Sequence, residues 1–311
     1  MSGTDLLVGP SPMSEDNYNG ALSCLGIESK SSDEQISSLI SMPAMDLLSL
    51  PPSVQCGPVI DSEIVHNAPS YTSISTSQPP LPATSWLESF VIGDCHYDGS
   101  ILGLGLGGRT NIASSFEASM TASLGADLYE KIKKMYLSKH YSDAPDTPDG
   151  EAQAGIQRFG NDVAFYAPTL AYAKHFHTAG VKTYVYRFNA TNPWDGPYKG
   201  MANHILDIAF LFQNYNDFLQ EVTSRQAAVH FAEKILAVVA GKEPWAPWSE
   251  GGDALCVFDS GVYECKDVEV VPEDAVSGTF ANGRRPAIAK LAAKVGWQAL
   301  EDAWGAFVSG K

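Results

Sequence analysis

Two stretches of this chain hold side chains whose types and placing could move a proton. The first is Ile92-Gly93-Asp94-Cys95-His96-Tyr97-Asp98-Gly99-Ser100, an apolar run that empties into a turn bearing a carboxylate. In α/β proteins, functional side chains gather at the carboxyl ends of parallel strands, where loops open onto a crevice. Asp98 stands at such a place, although Asp before Gly is also an ordinary turn residue. The second is Asn192-Pro193-Trp194-Asp195-Gly196-Pro197-Tyr198-Lys199-Gly200-Met201-Ala202-Asn203-His204. This loop of Pro, Gly and aromatics delivers one histidine to the entry of an apolar helix, Ile205-Leu206-Asp207-Ile208-Ala209-Phe210-Leu211-Phe212. Histidine titrates nearest neutral pH and is the side chain best suited to shuttle a proton. The alternative is a histidine simply satisfied at a helix start.

The elements that must position these groups are readable from periodicity. Trp86 to Asp94 is a short apolar run closed by Gly-Asp, the pattern of a strand buried on both faces. Residues 113–140 read as a helix with Leu124, Leu128, Ile132 and Met135 on one face. After a Pro/Asp/Gly break at 144–150, a second helical stretch carries Val163, Leu170 and Ala173 and is stopped by Ala179-Gly180. Val181 to Phe188 is the next strand. Helix followed by strand, twice over, predicts α/β architecture with parallel strands.

Residues 203–219 and 222–240 read as further helices, and a last one spans roughly 285–301. Cys256 to Cys265 reads as a hairpin whose two-residue turn, Ser260-Gly261, sets the two cysteines opposite each other. They would form a disulfide in an oxidising compartment, or stand as a reduced pair. The first 85 residues are rich in Ser and Pro. Within them Ser31-Ser32-Asp33-Glu34 is a capping box, followed by an apolar stripe of Ile36, Leu39 and Ile40 that Pro43 ends. Ser73 to Thr84, with Pro79-Pro80 and Pro82, reads as a loop or extended connector.

Composition excludes several classes. The 311 residues are 44% hydrophobic and 18% charged, enough for a large core and inconsistent with global disorder. A formal charge of −16 argues against nucleic acid or an anionic membrane surface as partner. No apolar run approaches the ~20 residues of a membrane span. The opening MSGTDLLVGPSP has neither a basic n-region nor an apolar h-region, so no secretory leader is expected as written. Five cysteines without metal-ligand spacing suggest neither a disulfide scaffold nor a structural zinc.

Together the two chemical stretches resemble a family. The chain is similar to the C-terminal half of a fungal type-B carboxylesterase/lipase, in the cholinesterase-like branch of the α/β-hydrolases. The resemblance runs through Pro58-Val59-Ile60-Asp61, the WLESFVIGD strand with its DGS turn, and Phe165-Tyr166-Ala167-Pro168. It continues through the YVYRFN strand, the NPWDGPYKG loop and His204 with the following AFLFQNYNDF. It implies a partial α/β-hydrolase fold over 1–311, one incomplete domain without the N-terminal central strands. It makes His204 the catalytic base and Asp98 the triad acid, a position where the family commonly carries Glu. The chain order of acid before base agrees with nucleophile, acid, base. Intact relatives cleave carboxylic esters through an acyl-serine, need no cofactor and are often secreted, so the compartment stays open.

The nucleophile is what the sequence does not offer. No G-x-S-x-G occurs; Gly9-Pro10-Ser11-Pro12-Met13 fails at its last position, and its prolines oppose a strained elbow. No HGGG-type oxyanion segment occurs either. In the family both lie upstream of what resembles Met1-Ser2-Gly3. Without a nucleophile a triad forfeits ~10⁶-fold in rate. The expectation is a chain inactive or poorly stable by itself. Three readings follow: a truncated serine esterase acting on a small-molecule ester, one half completed by a separate N-terminal half, or a non-catalytic binding protein.

Lesser signals point elsewhere or nowhere. Gly103 to Gly108 lacks dinucleotide-loop spacing and reads as a flexible loop. His175 and His177, two apart, share no helix face, which argues against a metal pair. Trp245 and Trp248 read as lining a surface turn. Trp194 and Tyr198 read as surface packing, or as the border of an acyl or alcohol pocket. Cys95 is a candidate to pair with another cysteine.

Overall fold

The computed structural model describes residues 11–51, 54, 60, 62–63, 70–76, 86–249, 255–259 and 284–310. Chain contacts divide it into two compact units, one of Asp5–Pro69 and one of Ser70–Lys311 together with Met1–Thr4.

In the first unit the helices are α1 (Ser11–Leu25), α2 (Ser32–Ser41) and α3 (Ala44–Leu48). The capping box at the start of α2 forms as the sequence implies. Glu34 Oε2 accepts the Ser31 backbone N–H at 3.0 Å and its hydroxyl at 2.7 Å. The apolar stripe behaves differently from its reading. Ile36 and Ile40 face solvent, and the buried residue of α2 is Gln35. Its amide takes the Tyr18 hydroxyl at 3.0 Å and donates to the carbonyls of Glu28 and Lys30. A fully bonded amide can be buried where an unpaired one could not.

The second unit opens with α4 (Tyr71–Thr76), which takes up the start of the expected connector; residues 77–85 lie outside the described residues. Strand β1 (Ser89–Cys95) follows, then a 3₁₀ turn at Asp98–Leu102 and α5 (Gly103–Leu106), where a flexible loop was expected. The long helix read over 113–140 is two: α6 (Ile112–Leu124) and α7 (Ala126–Tyr136). Gly125 separates them at φ +88°, a conformation an L side chain resists. Next come α8 (Gly150–Asn161), a π-helical turn at Asp162–Tyr166, and α9 (Ala167–Thr178), which leads into β2 (Lys182–Phe188).

After the aromatic loop come α10 (Leu206–Leu211) and α11 (Val222–Val239), then β3 (Leu255–Phe258). Helices α12 (Arg284–Val295) and α13 (Trp297–Ser309) follow, broken at Gly296 where one helix was expected. Cys256 on β3 is disulfide-bonded. The hairpin turn and Cys265 lie outside the described residues, as do Pro58, Val59 and Asp61 of the family motif.

The sheet is parallel in the order β1-β2-β3, with Ser89 opposite Lys182, Cys95 opposite Phe188, and Phe188 opposite Phe258. β2 is central and covered on both faces. Tyr184, Tyr186 and Phe188 pack with Phe210, Phe231 and Trp245 on one face, while Val185 packs with Ile92, Ala173 and Trp248 on the other. Trp245 and Trp248 are thus buried, not surface residues: Trp248 donates its backbone N–H to Thr183 at 2.7 Å, and Trp245 packs edge-on against Tyr184. A third, helical core joins α6, α7, α8, α12 and α13 around Phe116, Phe159 and Trp304, none of which touches solvent. Each such aromatic stabilises the fold by roughly 1.5–3 kcal/mol through burial.

Candidate active site

The sheet extends past its formal ends toward the two chemical stretches. His96 donates its backbone N–H to Phe188 at 2.9 Å, continuing β1 on β2. Tyr97 then leaves β2 and donates to Ala202 at 2.9 Å, and pairs with Asn203 in a parallel bridge. Two short backbone segments, one before Asp98 and one before His204, therefore lie side by side.

Their side chains meet. His204 Nδ1 lies 2.8 Å from Asp98 Oδ1. The other carboxylate oxygen accepts the Cys95 backbone N–H at 2.7 Å, which fixes the plane of the group. Asp98 has no solvent exposure, whereas the His204 side chain keeps 19% of its surface open. The Phe165 ring, from the π-helical turn, packs T-shaped with the imidazole, the ring centroids 5.6 Å apart. π-turns in α-helices are frequent at functional sites, because the extra residue re-aims side chains.

Gly99 explains why the turn reads Asp-Gly. A Cβ there would come within 2.4 Å of the Gln157 carbonyl, so α8 can approach only a glycine. Its N–H donates to Asn161 Oδ1 at 2.8 Å. Asp98 does stand in a turn, and Asp98, Gly99 and Ser100 are all buried in it.

Burial raises the Asp98 carboxyl above its ordinary value; the hydrogen bond from His204 pulls it back, while the carboxylates of Asp94 and Asp207 add to the rise. Asp207, three residues past His204, is a buried acid that pattern reading missed. Its Oδ2 accepts the Tyr186 hydroxyl at 2.8 Å and its Oδ1 the N–H of Ile208 at 2.9 Å. The Tyr186 phenol is pushed well up by burial and by that carboxylate. Cys95 is free and fully buried, its thiol raised by burial and then by Asp98 and Asp207; it forms no disulfide. His175 and His177 diverge, one against Phe176 and the other against Trp248. Tyr198 donates to the Ser100 carbonyl at 3.1 Å, and Trp194 packs against Phe210 and Tyr215.

Residues 15–240, through both units and both site segments, match the carboxylesterase family. The chain belongs to that family. Among solved structures, this carboxylesterase-family chain is similar to the Geobacillus stearothermophilus carboxylesterase EST55 at 19% identity and TM-score 0.55, covering 82% of itself and 52% of that chain. It is similar to Aspergillus niger EstA at 12% identity and TM-score 0.57, covering 95% of itself and 58% of that chain. A PNB esterase aligns at 18% identity and TM-score 0.51, over 81% and 52%. The chain thus spans little more than half the length of these structures, and shares with them the α/β-hydrolase fold. No curated protein matches it.

Proposed function

We propose that this chain supplies the acid and base of a carboxylic-ester hydrolase. The 2.8 Å contact between His204 and buried Asp98 carries the reading. With Nδ1 protonated and donating to Asp98, the imidazole presents Nε2 as the base. Nε2 takes the proton of a serine hydroxyl as it attacks the ester carbonyl, and returns it to the leaving alkoxide. Asp98 holds the tautomer and stabilises the imidazolium. The serine and the oxyanion donors come from outside these 311 residues, since no G-x-S-x-G or HGGG segment occurs in them. The two compact units are parts of one incomplete domain, a reading supported by a family match that runs through both.

Among the described residues β1 pairs only with β2, so its other edge is free to receive a parallel strand. The completing strand is either encoded upstream on the same transcript or belongs to a separate N-terminal half.

The experiment reads the transcript upstream of Met1 and assays p-nitrophenyl ester hydrolysis by the product. A frame continuing into G-x-S-x-G, with turnover abolished by His204→Ala, supports the reading. Ester turnover unaffected by His204→Ala removes it. Transcription starting at Met1, with no N-terminal half that restores activity, leaves a non-catalytic binding protein.

A further inference from the structure

Asp98 holds the side chain of His204, but nothing in that contact fixes the backbone from which the imidazole hangs. That backbone is under strain. Ile205, the next residue, sits at φ +58°, ψ +11°, a left-handed conformation that is unfavourable for a β-branched side chain. Strained conformations persist only where surrounding bonds over-determine them.

The bonds are present on both sides of His204. Its carbonyl accepts the Asn203 side-chain amide at 3.2 Å, and Asn203 is tied in turn to Asn192 at 2.9 Å. Its backbone N–H donates to Ser100 Oγ at 2.9 Å. Ser100 is 3% exposed and lies two residues beyond Asp98 in the same 3₁₀ turn. One turn therefore grips the base twice: at the imidazole through a carboxylate, and at the main chain through a hydroxyl.

We propose that Ser100 is a positioning residue for His204, setting the backbone so that Nδ1 meets Asp98; this rests on the reading of Asp98 and His204 as acid and base. Losing the Ser100 hydroxyl frees the His204 peptide to rotate out of its strained turn, and the Nδ1 proton then spends more time open to water. Tyr198 offers an internal contrast. It bonds the same residue from the same loop, but through the Ser100 carbonyl, and leaves the His204 amide untouched.

The test uses the full chain with ¹⁵N-labelled histidine and follows the Nδ1 proton bonded to Asp98. Ser100→Ala removes a single oxygen atom. Its fold is checked by circular dichroism. The expected result is Nδ1–H exchange with water faster by about 2- to 12-fold, the range for one lost hydrogen bond, and little change in Tyr198→Phe. Wild-type exchange in Ser100→Ala, or equal acceleration in Tyr198→Phe, overturns the role of Ser100. Asp98→Asn separates the two levels. If it removes the protected proton while Ser100→Ala does not, the pair stands and Ser100 fails. If it leaves the proton unchanged, the pair itself fails and takes the positioning role with it.

Discussion

Asp98 and Asp162 are both closed off from solvent, yet their environments drive their carboxyl groups in opposite directions. Asp98, in the turn after β1, has a histidine and two further carboxylates around it, and burial pushes it up. Asp162, at the head of the π-helical turn, feels the same upward push, but guanidinium groups more than reverse it and its carboxyl ends below the ordinary value. Arg284 reaches it through Nε at 2.7 Å and a terminal nitrogen at 3.0 Å; Arg285 Nε is 3.5 Å away, and Tyr136 donates at 2.8 Å. Asp162 is held as an anion by fixed cations. Asp98 is held instead by an imidazole and a backbone N–H. The first arrangement suits a strut, and the second suits a group whose partner gains and loses charge during a reaction.

Substitution to Asn should separate them most sharply. In the completed enzyme, Asp98→Asn should lower ester turnover by about 10⁴-fold through the wrong imidazole tautomer, with the fold intact. Asp162→Asn should leave the chemical step in place and lower stability, read as a shifted urea midpoint. Equal loss of turnover in both would erase the distinction. Next in size, Arg284→Ala should destabilise by about 3–5 kcal/mol, because it strands a buried carboxylate. A change within 0.5 kcal/mol would show that Arg285 alone suffices.

Acid titration sharpens the contrast. A carboxyl lowered in the folded state contributes stability above its unfolded value of ~3.9 and loses it as pH falls through the lower folded value. Wild type should therefore lose its advantage over Asp162→Asn on acidification below about pH 4. For Asp98 the sign reverses, since the folded state there binds the proton more tightly. Wild type should lose ground to Asp98→Asn as pH rises from about 4 through the raised folded value. Parallel profiles for the two variants would contradict the comparison.

The smallest effect concerns the strained residue beside the base. Ile205 is 57% exposed, so Ile205→Gly gives up little packing and should raise stability by about 1 kcal/mol through relief of left-handed strain.

Asp98 and His204 stood out singly, one at the end of an apolar run and the other at the end of a Pro/Gly loop, but only the family resemblance joined them as a pair. Strands β1 and β2 were legible from short runs rich in Val, Ile and aromatic residues, the second set off by Ala179-Gly180. The break at Gly125 was not, since the apolar period carries through it on both sides. Trp245 and Trp248 read as surface because Pro and Glu surround them, although the sheet needed their rings. Ser100 and the Arg284–Asp162 pair left no local pattern, because their partners are set by folding and not by spacing. Asp207 alone had a signal: an acid inside the run Ile205 to Phe212 must be either exposed or bonded.

Arg285 also bonds Asp94, the penultimate residue of β1, across 191 positions of chain. During synthesis Asp94 is made long before its cation. At roughly 5–20 residues per second, Asp94 waits on the order of 10–40 s after leaving the ribosome before Arg285 exists. Through that interval β1 carries near its end a carboxylate that resists burial, so the strand stays wet and the nascent chain postpones closing its core. A helix made long after β1 thus supplies the cation that lets the end of that strand settle.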